Sequence, residues 1–428
     1  MQTYTHYKES GIDWIGQIPE HWEISKLGNI LKPYSIKNKA HLPLLSITRE
    51  KGVILRGDDP EESNHNFIPD DLSGYKHIKK GQFGMNKMKA WQGSYGYSNF
   101  EGIVSPAYYI FDISDKLSGD YFSKTIRSNA FIPFFIKASD GVRIGQWDLS
   151  KPRMKEIPFY IPPIHEQEAI AKFLGDKTAK IDALVQTKEQ QIEKLKELRQ
   201  AKIHQAVTKG LDAIAPTKYS GVAWIGEIPA HWEVKRLKHI GNAIIGLTYS
   251  PNDLCDSNQG TLVLRSSNLQ NNGIEYNDNV FVKTKIPEKL KLILDDIVIC
   301  SRNGSRELIG KCGIVKNEDL GNTFGAFTTV FRSNINKFLF QILSSGIFKS
   351  YSGMFLTSTI NQLTISNLNS FEVPIPPIQE QEAIVAYLDE VTGKIDQAIT
   401  QKQVQITKLK EYKQSLINDV VTGKVKVC

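Results

Sequence analysis

The chain has 428 residues, 40% of them hydrophobic and 23% charged, ordinary proportions for a globular protein with room for two or three domains, and this excludes fibrous and disordered classes. The formal net charge of +7 and an isoelectric point near 8.9 favour a polyanionic partner only weakly, well short of histone-like basicity. Cys255, Cys300, Cys312 and Cys428 show no Cys-x-x-Cys spacing, so neither a structural disulfide nor a zinc site is expected. The N-terminus has no apolar signal core and no apolar run approaches the ~20 residues of a membrane span, which predicts a cytoplasmic protein.

In chain order, SGIDWIGQIPEHWEISKL (residues 10–27) comes first, carrying Trp14, His21 and Trp22. LPLLSIT and GIVSPAYYIF then read as strands, and DYFSKTIRSNAFIPFFIKAS as helical. IPPIHEQEAI (residues 161–170) follows, with Glu166 and Glu168 in what becomes the first helical turn, where carboxylates suit the positive end of the helix dipole. Ile181, Val185, Ile192 and Leu195 continue at coiled-coil spacing, and Val207-Thr208-Lys209-Gly210 suits a glycine cap. The predicted helix is roughly 40 residues, about 60 Å.

Both motifs then return in the same order. SGVAWIGEIPAHWEVKRL (residues 220–237) repeats the first with Trp224, His231 and Trp232 in register. TLVLRSS and DIVICS read as strands and NKFLFQILSSGIFKSY as helical, before IPPIQEQEAI (residues 375–384) leads into a second seam of Ile395, Ile399, Ile406, Leu409 and Leu416. The chain is a tandem duplication. The expected fold is α/β: two globular domains, 1–160 and 211–374, separated by two long antiparallel coiled-coil helices, 161–210 and 375–428, about a pseudo-twofold. Lys188 and Lys402 interrupt the seams at matching places, either to set register or to extend toward solvent.

WIGQIPEHWE and WIGEIPAHWE, with IPPIHEQEAI and IPPIQEQEAI each leading into a long helix, closely resemble the conserved regions of DNA specificity subunits of type I restriction-modification systems. The resemblance covers essentially the whole chain. It implies two target recognition domains, each reading half of a bipartite DNA site. It also implies partners: two methyltransferase subunits that use S-adenosylmethionine to methylate adenine, and two motor and nuclease subunits that use ATP and Mg. No cofactor is then expected on this chain.

The residues themselves argue against an enzyme. The Pro-Pro pairs, Pro162-Pro163 and Pro376-Pro377, follow isoleucine rather than the Asn or Asp of an adenine methyltransferase loop, and Gly310-Lys311-Cys312 lacks the hydroxyl residue of a phosphate-binding loop. Asp70 and Asp71 read as a solvated turn rather than nuclease carboxylates, and His21 and His231 as packing or capping residues. The globular segments carry a basic excess of about +3 and about +2. MNKMKAWQGSYG and CSRNGSRELIGKCG each follow a strand-like run with the Lys, Arg and Asn side chains that pair with bases and phosphates. Candidate DNA-binding residues are therefore Asn86, Lys87, Lys89, Arg302, Asn303 and Arg306, with Arg49, Arg143, Arg265 and Arg332 behind them. Trp91 and Tyr95 are candidates for base stacking or for burial. Trp14, Trp22, Trp224 and Trp232, identical in both copies between divergent neighbours, point to a shared partner-docking or helix-packing surface. A coiled-coil scaffold that binds only proteins is the alternative, but it leaves the duplicated α/β segments without a task.

Overall fold

The computed structural model describes residues 2–57, 68–141, 147–270, 272–354 and 361–427. Arg143 lies outside the described residues. The chain forms two compact units, Met1–Glu189 with Gln403–Cys428, and Gln190–Lys402. The long helices, Ile164–Lys209 and Ile378–Val421, therefore each contribute one half to either unit.

In the first unit the central sheet contains β1 (Leu31–Tyr34), β2 (Phe83–Asn86), β3 (Tyr95–Tyr97) and β4 (Tyr108–Ile113) in the order β1-β4-β2-β3, all antiparallel. GIVSPAYYIF is split by its Ser-Pro step into Gly102–Val104 and β4, since proline cannot donate to a ladder. One face of the sheet packs on Leu45, Ile47, Val53 and Ile78. The helical run is broken into Gly119–Ile126 and Ile132–Lys137, with Pro133 in the first turn of the second helix, where a missing N–H costs nothing.

The second unit repeats this arrangement. β5 (Asn242–Ile245), β6 (Ile297–Cys300), β7 (Cys312–Ile314) and β8 (Thr328–Arg332) lie in the order β5-β8-β6-β7. Asn336–Leu343 and Gly346–Gly353 are the counterparts of Gly119–Ile126 and Ile132–Lys137 in the first unit, and Ile365–Ser370 is a further short helix. Buried Trp232, Ile297, Phe331 and Leu339 share one core with Ile203 and Val207 of the first long helix and Ile384 and Leu388 of the second.

At the neck of each module the repeated His-Trp-Glu strand pairs with the strand before the proline pair. Glu23–Lys26 pairs with Pro158–Ile161, and Glu233–Arg236 with Glu372–Ile375. The next hydrogen bonds match as well, from Leu27 N to Ile157 O at 2.8 Å and from Leu237 N to Phe371 O at 3.0 Å.

The long helices pack antiparallel within each unit. In the first, Lys413 Nζ meets Asp182 at 2.7 Å and Lys188 Nζ donates to Gln405 Oε1 at 2.6 Å. In the second, Arg199 pairs with Asp396 at 3.1 Å and Lys402 Nζ donates to Gln191 Oε1 at 2.7 Å. Lys188 and Lys402 thus each bond a glutamine of the facing helix, and the two glutamines are themselves repeat equivalents. Ile181, Val185, Ile192, Ile395, Ile406 and Leu416 are buried in the seam, while Leu195, Ile399 and Leu409 are half-buried. Gly210 and Gly423 close the helices with φ of 69° and 74°, the left-handed conformation that favours glycine.

Candidate nucleic-acid interface

Because β8 runs antiparallel to both β5 and β6, the start of β8 and the ends of the other two lie on one rim. The loop before β8 is held there by backbone bonds: Ser301 N and Arg302 N donate to Phe327 O at 3.1 and 3.0 Å, and Ala326 N to Leu247 O at 2.9 Å. The result is a cleft of about 490 Å³ lined by Thr248, Tyr249, Arg265, Ser266 and Phe327. Phe327 is 59% exposed, and the Arg302 guanidinium sits 5.4 Å from its ring centroid. An arginine beside an exposed aromatic suits a base edge, with guanine O6 and N7 as partners for the fork and a thymine methyl for the ring.

Three expected residues meet at this cleft. Arg302 flanks Phe327, Asn303 Nδ2 donates to Ser266 Oγ at 2.8 Å, and Arg265 Nη2 pairs with Asp278 at 2.6 Å. Arg306 reaches Gly353 O at 3.1 Å instead. Arg332 is a correction: at the far end of β8 it forks onto the buried Asp296 at 2.8 and 2.7 Å, so it neutralises an interior carboxylate and is not free for a base.

On the corresponding rim of the first unit, Lys87 pairs with Asp148 at 2.8 Å and Lys89 is exposed. Asn86 is a second correction, because it is buried and its Oδ1 accepts from Met88 N at 3.1 Å, closing its own turn. Arg49 is exposed beside Glu50 at 3.4 Å, in the turn before Gly52–Leu55. Tyr95 is fully buried, and Trp91 packs on Trp147 with ring centroids 5.2 Å apart. Asp71 accepts from Ser73 N at 2.8 Å, which holds the carboxyl below its usual range and makes it a turn residue. Composition gave no hint of Tyr109, with Lys151 Nζ 4.1 Å and Lys76 Nζ 5.8 Å from its ring centroid. Lys76 and Lys151 are far apart in sequence, and only folding brings them together.

The repeated motifs build a different site. Gln167 Nε2 donates to Pro162 O at 2.8 Å and Gln381 Nε2 to Pro376 O at 2.8 Å, so the glutamine of EQEAI caps the carbonyl that the proline pair leaves unpaired. The preceding glutamate takes the indole. Trp22 Nε1 donates to Glu166 Oε2 at 3.0 Å and Trp232 Nε1 to Glu380 Oε2 at 2.9 Å. His21 and His231 Nε2 lie 2.6 Å from the other oxygen of the same two carboxylates. Each indole also abuts the glycine ending the other long helix: a Cβ on Gly423 would stand 3.2 Å from Trp22, and one on Gly210 would stand 3.1 Å from Trp232. The motif therefore clasps the start of one helix to the end of the other.

Trp22 and Trp232 are consequently corrections as docking surfaces, since both are 0% exposed. Trp224 stacks on Phe371 at 5.4 Å, and Trp14 donates to Ala130 O at 3.1 Å while remaining 37% exposed. The accessible part of each clasp is a cavity beside the histidine. In the first unit it is about 630 Å³, lined by Tyr4, His6, His21, His165 and Glu166; in the second it is about 250 Å³, lined by Gly210, Leu211, His231, Glu380 and Ile384. Among the described residues no group of three or more His, Cys, Asp or Glu side chains is placed to hold a metal ion, and Cys255, Cys300 and Cys312 are free thiols.

Burial pushes the Glu166 carboxyl up, but bonds from His21, Trp22 and Tyr4 outweigh it and hold the group below its ordinary value of 4.5. The folded state therefore takes up this proton less readily than the unfolded chain. Its contribution to stability is complete above pH 4.5 and is lost as the pH falls through the lower folded value. Glu166→Gln is expected to lower stability at neutral pH and to flatten this part of the acid transition; an unchanged acid profile in urea titrations would contradict the assignment.

The class defined by these features is a duplicated α/β scaffold with two like helix clasps and two unlike rims. The family model of the type I restriction modification DNA specificity domain matches residues 110–194 and 229–408, more than half the chain, and the protein belongs to that family. It is similar to the type I restriction enzyme MjaVIII specificity subunit of Methanocaldococcus jannaschii, 28% identical over 434 residues, covering 96% of this chain and 94% of that one. The fold matches a chain solved in a study of complex assembly and conformational transition of the type I R-M system, with a TM-score of 0.74 at 14% identity over 95% of this chain and 99% of that chain. It also matches the HsdS subunit from Thermoanaerobacter tengcongensis, with a TM-score of 0.55 at 14% identity over 97% and 100% of the two chains. Among the described residues no helix is long and apolar enough to cross a membrane.

Proposed function

We propose that the chain sets the DNA sequence specificity of a type I restriction-modification complex, working in the cytoplasm and without catalytic chemistry of its own. Each globular module reads one half of a bipartite site. Supporting this reading above all is the contrast between like clasps and different rims: the Trp22-Glu166 and Trp232-Glu380 bonds join the same atoms, whereas Arg302-Phe327 on one rim has lysines and Tyr109 as its counterpart on the other. Shared parts serve shared subunits, and unlike parts serve unlike sequences. Two methyltransferase subunits, using S-adenosylmethionine on adenine, dock near the two clasps, and two motor and nuclease subunits bring ATP and Mg.

Genome-wide mapping of modified adenines in a host carrying this chain with its methyltransferase partner tests the proposal. One motif of two short sequences flanking unread base pairs is expected. A contiguous motif, or methylation that does not depend on the chain, would overturn it.

A further inference from the structure

On β4 of the first unit, Tyr109 is half-exposed between buried Tyr108 and Ile110. Lys151 and Lys76 lie against its ring at 4.1 and 5.8 Å, and Lys76 Nζ also donates to Tyr108 O at 2.6 Å. Backbone bonds bring two more lysines alongside: Leu149 N, two residues before Lys151, donates to Lys87 O at 3.0 Å, and His77 N, next to Lys76, donates to the O of Ile36, next to Lys37, at 2.8 Å. Burial, then the repulsion of Lys151, Lys37 and Lys87, depresses the Lys76 ammonium below its ordinary value. Among the described residues the carboxylate paired with this group is Asp148, on Lys87 and itself 55% exposed. Like charges held this close repel one another, and the repulsion is relieved when an anion settles among them. The ladder position equivalent to Tyr109 in the second unit is Thr329, which is buried, so the cluster belongs to the first module alone.

We propose that Lys37, Lys76, Lys87 and Lys151 around Tyr109 form a seat for a DNA backbone phosphate that anchors the duplex on the first module. The inference rests on the DNA-reading function proposed above and adds where that module gains affinity independent of sequence. Ammonium groups are point-charge donors suited to phosphate oxygens, and they carry no base information.

The test uses the full chain with its methyltransferase partner, and measures binding to fluorescent duplexes of the methylated motif and of unrelated sequence. Salt is varied from about 50 to about 200 mM. In the K76Q/K151Q double variant, which removes the contact to that one phosphate, the slope of log affinity against log salt should become shallower by about 0.9, so the wild-type advantage shrinks about 3.5-fold across that range, equally on both duplexes. Thermal unfolding indistinguishable from wild type confirms that the fold is intact. An unchanged slope, or a loss confined to the motif duplex, overturns the phosphate seat while leaving the DNA-reading function standing. So does abolition of the difference by millimolar inorganic phosphate, which would make this a small-anion site. Absence of salt-dependent DNA binding by the wild-type complex overturns the DNA-reading function itself.

Discussion

Trp22→Ala is expected to lower unfolding stability by about 3 to 5 kcal/mol, the range for removing a large buried aromatic. The indole is fully buried, packs against the Gly423 end of one helix, and supplies one of three hydrogen bonds to Glu166. Its loss leaves a cavity and a carboxylate with one donor fewer. Trp232→Ala should have a comparable effect in the second unit, through Glu380 and Gly210. Calorimetry of each single variant checks the magnitude, and methylation mapping of the double variant checks the kind. Assembly and yield should fall before the motif changes. A normal complex with an altered motif would place the tryptophans in sequence reading, against their burial.

Arg302→Ala is expected to cost about 1 to 3 kcal/mol on the cognate site and to relax the reading of one half-site only, as for loss of a bidentate base contact. Phe327→Ala should relax the same half-site. Because the guanidinium lies over the ring at 5.4 Å, the two losses should be less than additive in a double-mutant cycle. Affinities on duplexes with each base pair changed in turn decide between base reading and backbone binding. Equal weakening on every sequence would make Arg302 a phosphate contact.

The sequence made the duplication, the long helices, their glycine ends and the neck motifs readable, because all of these depend on local spacing or on identity between copies. Their reasons were less visible. Nothing local tells that Glu166 accepts from a tryptophan 144 positions away, and the same glutamate reads equally well as a helix-dipole residue. Repetition suggested a partner-docking or helix-packing surface for Trp22 and Trp232; repetition marks any shared constraint, and here the constraint is burial against the helix ends. The rim was legible in part. Arg302, Asn303 and Arg265 carry the right chemistry, and folding brings them together; Arg332 carries the same chemistry but lies opposite Asp296 on a neighbouring segment. Phe327 escaped notice because Phe324 and Phe331, three and four residues away, are buried, and periodicity alone does not tell which of the three faces outward.

The strand pair at each neck has a genetic consequence. Glu23–Lys26 beside Pro158–Ile161, and Glu233–Arg236 beside Glu372–Ile375, bring the entry and exit of each module together on adjacent strands. The most divergent stretch of each copy is inserted between those two points, and the tryptophan–glutamate bonds of the clasp lie outside it. A crossover between the matching coding stretches would therefore exchange one module as a cassette, with its ends already spaced to rejoin the frame. New target combinations can arise in this way by shuffling whole reading heads, without remaking the contacts that hold the helices.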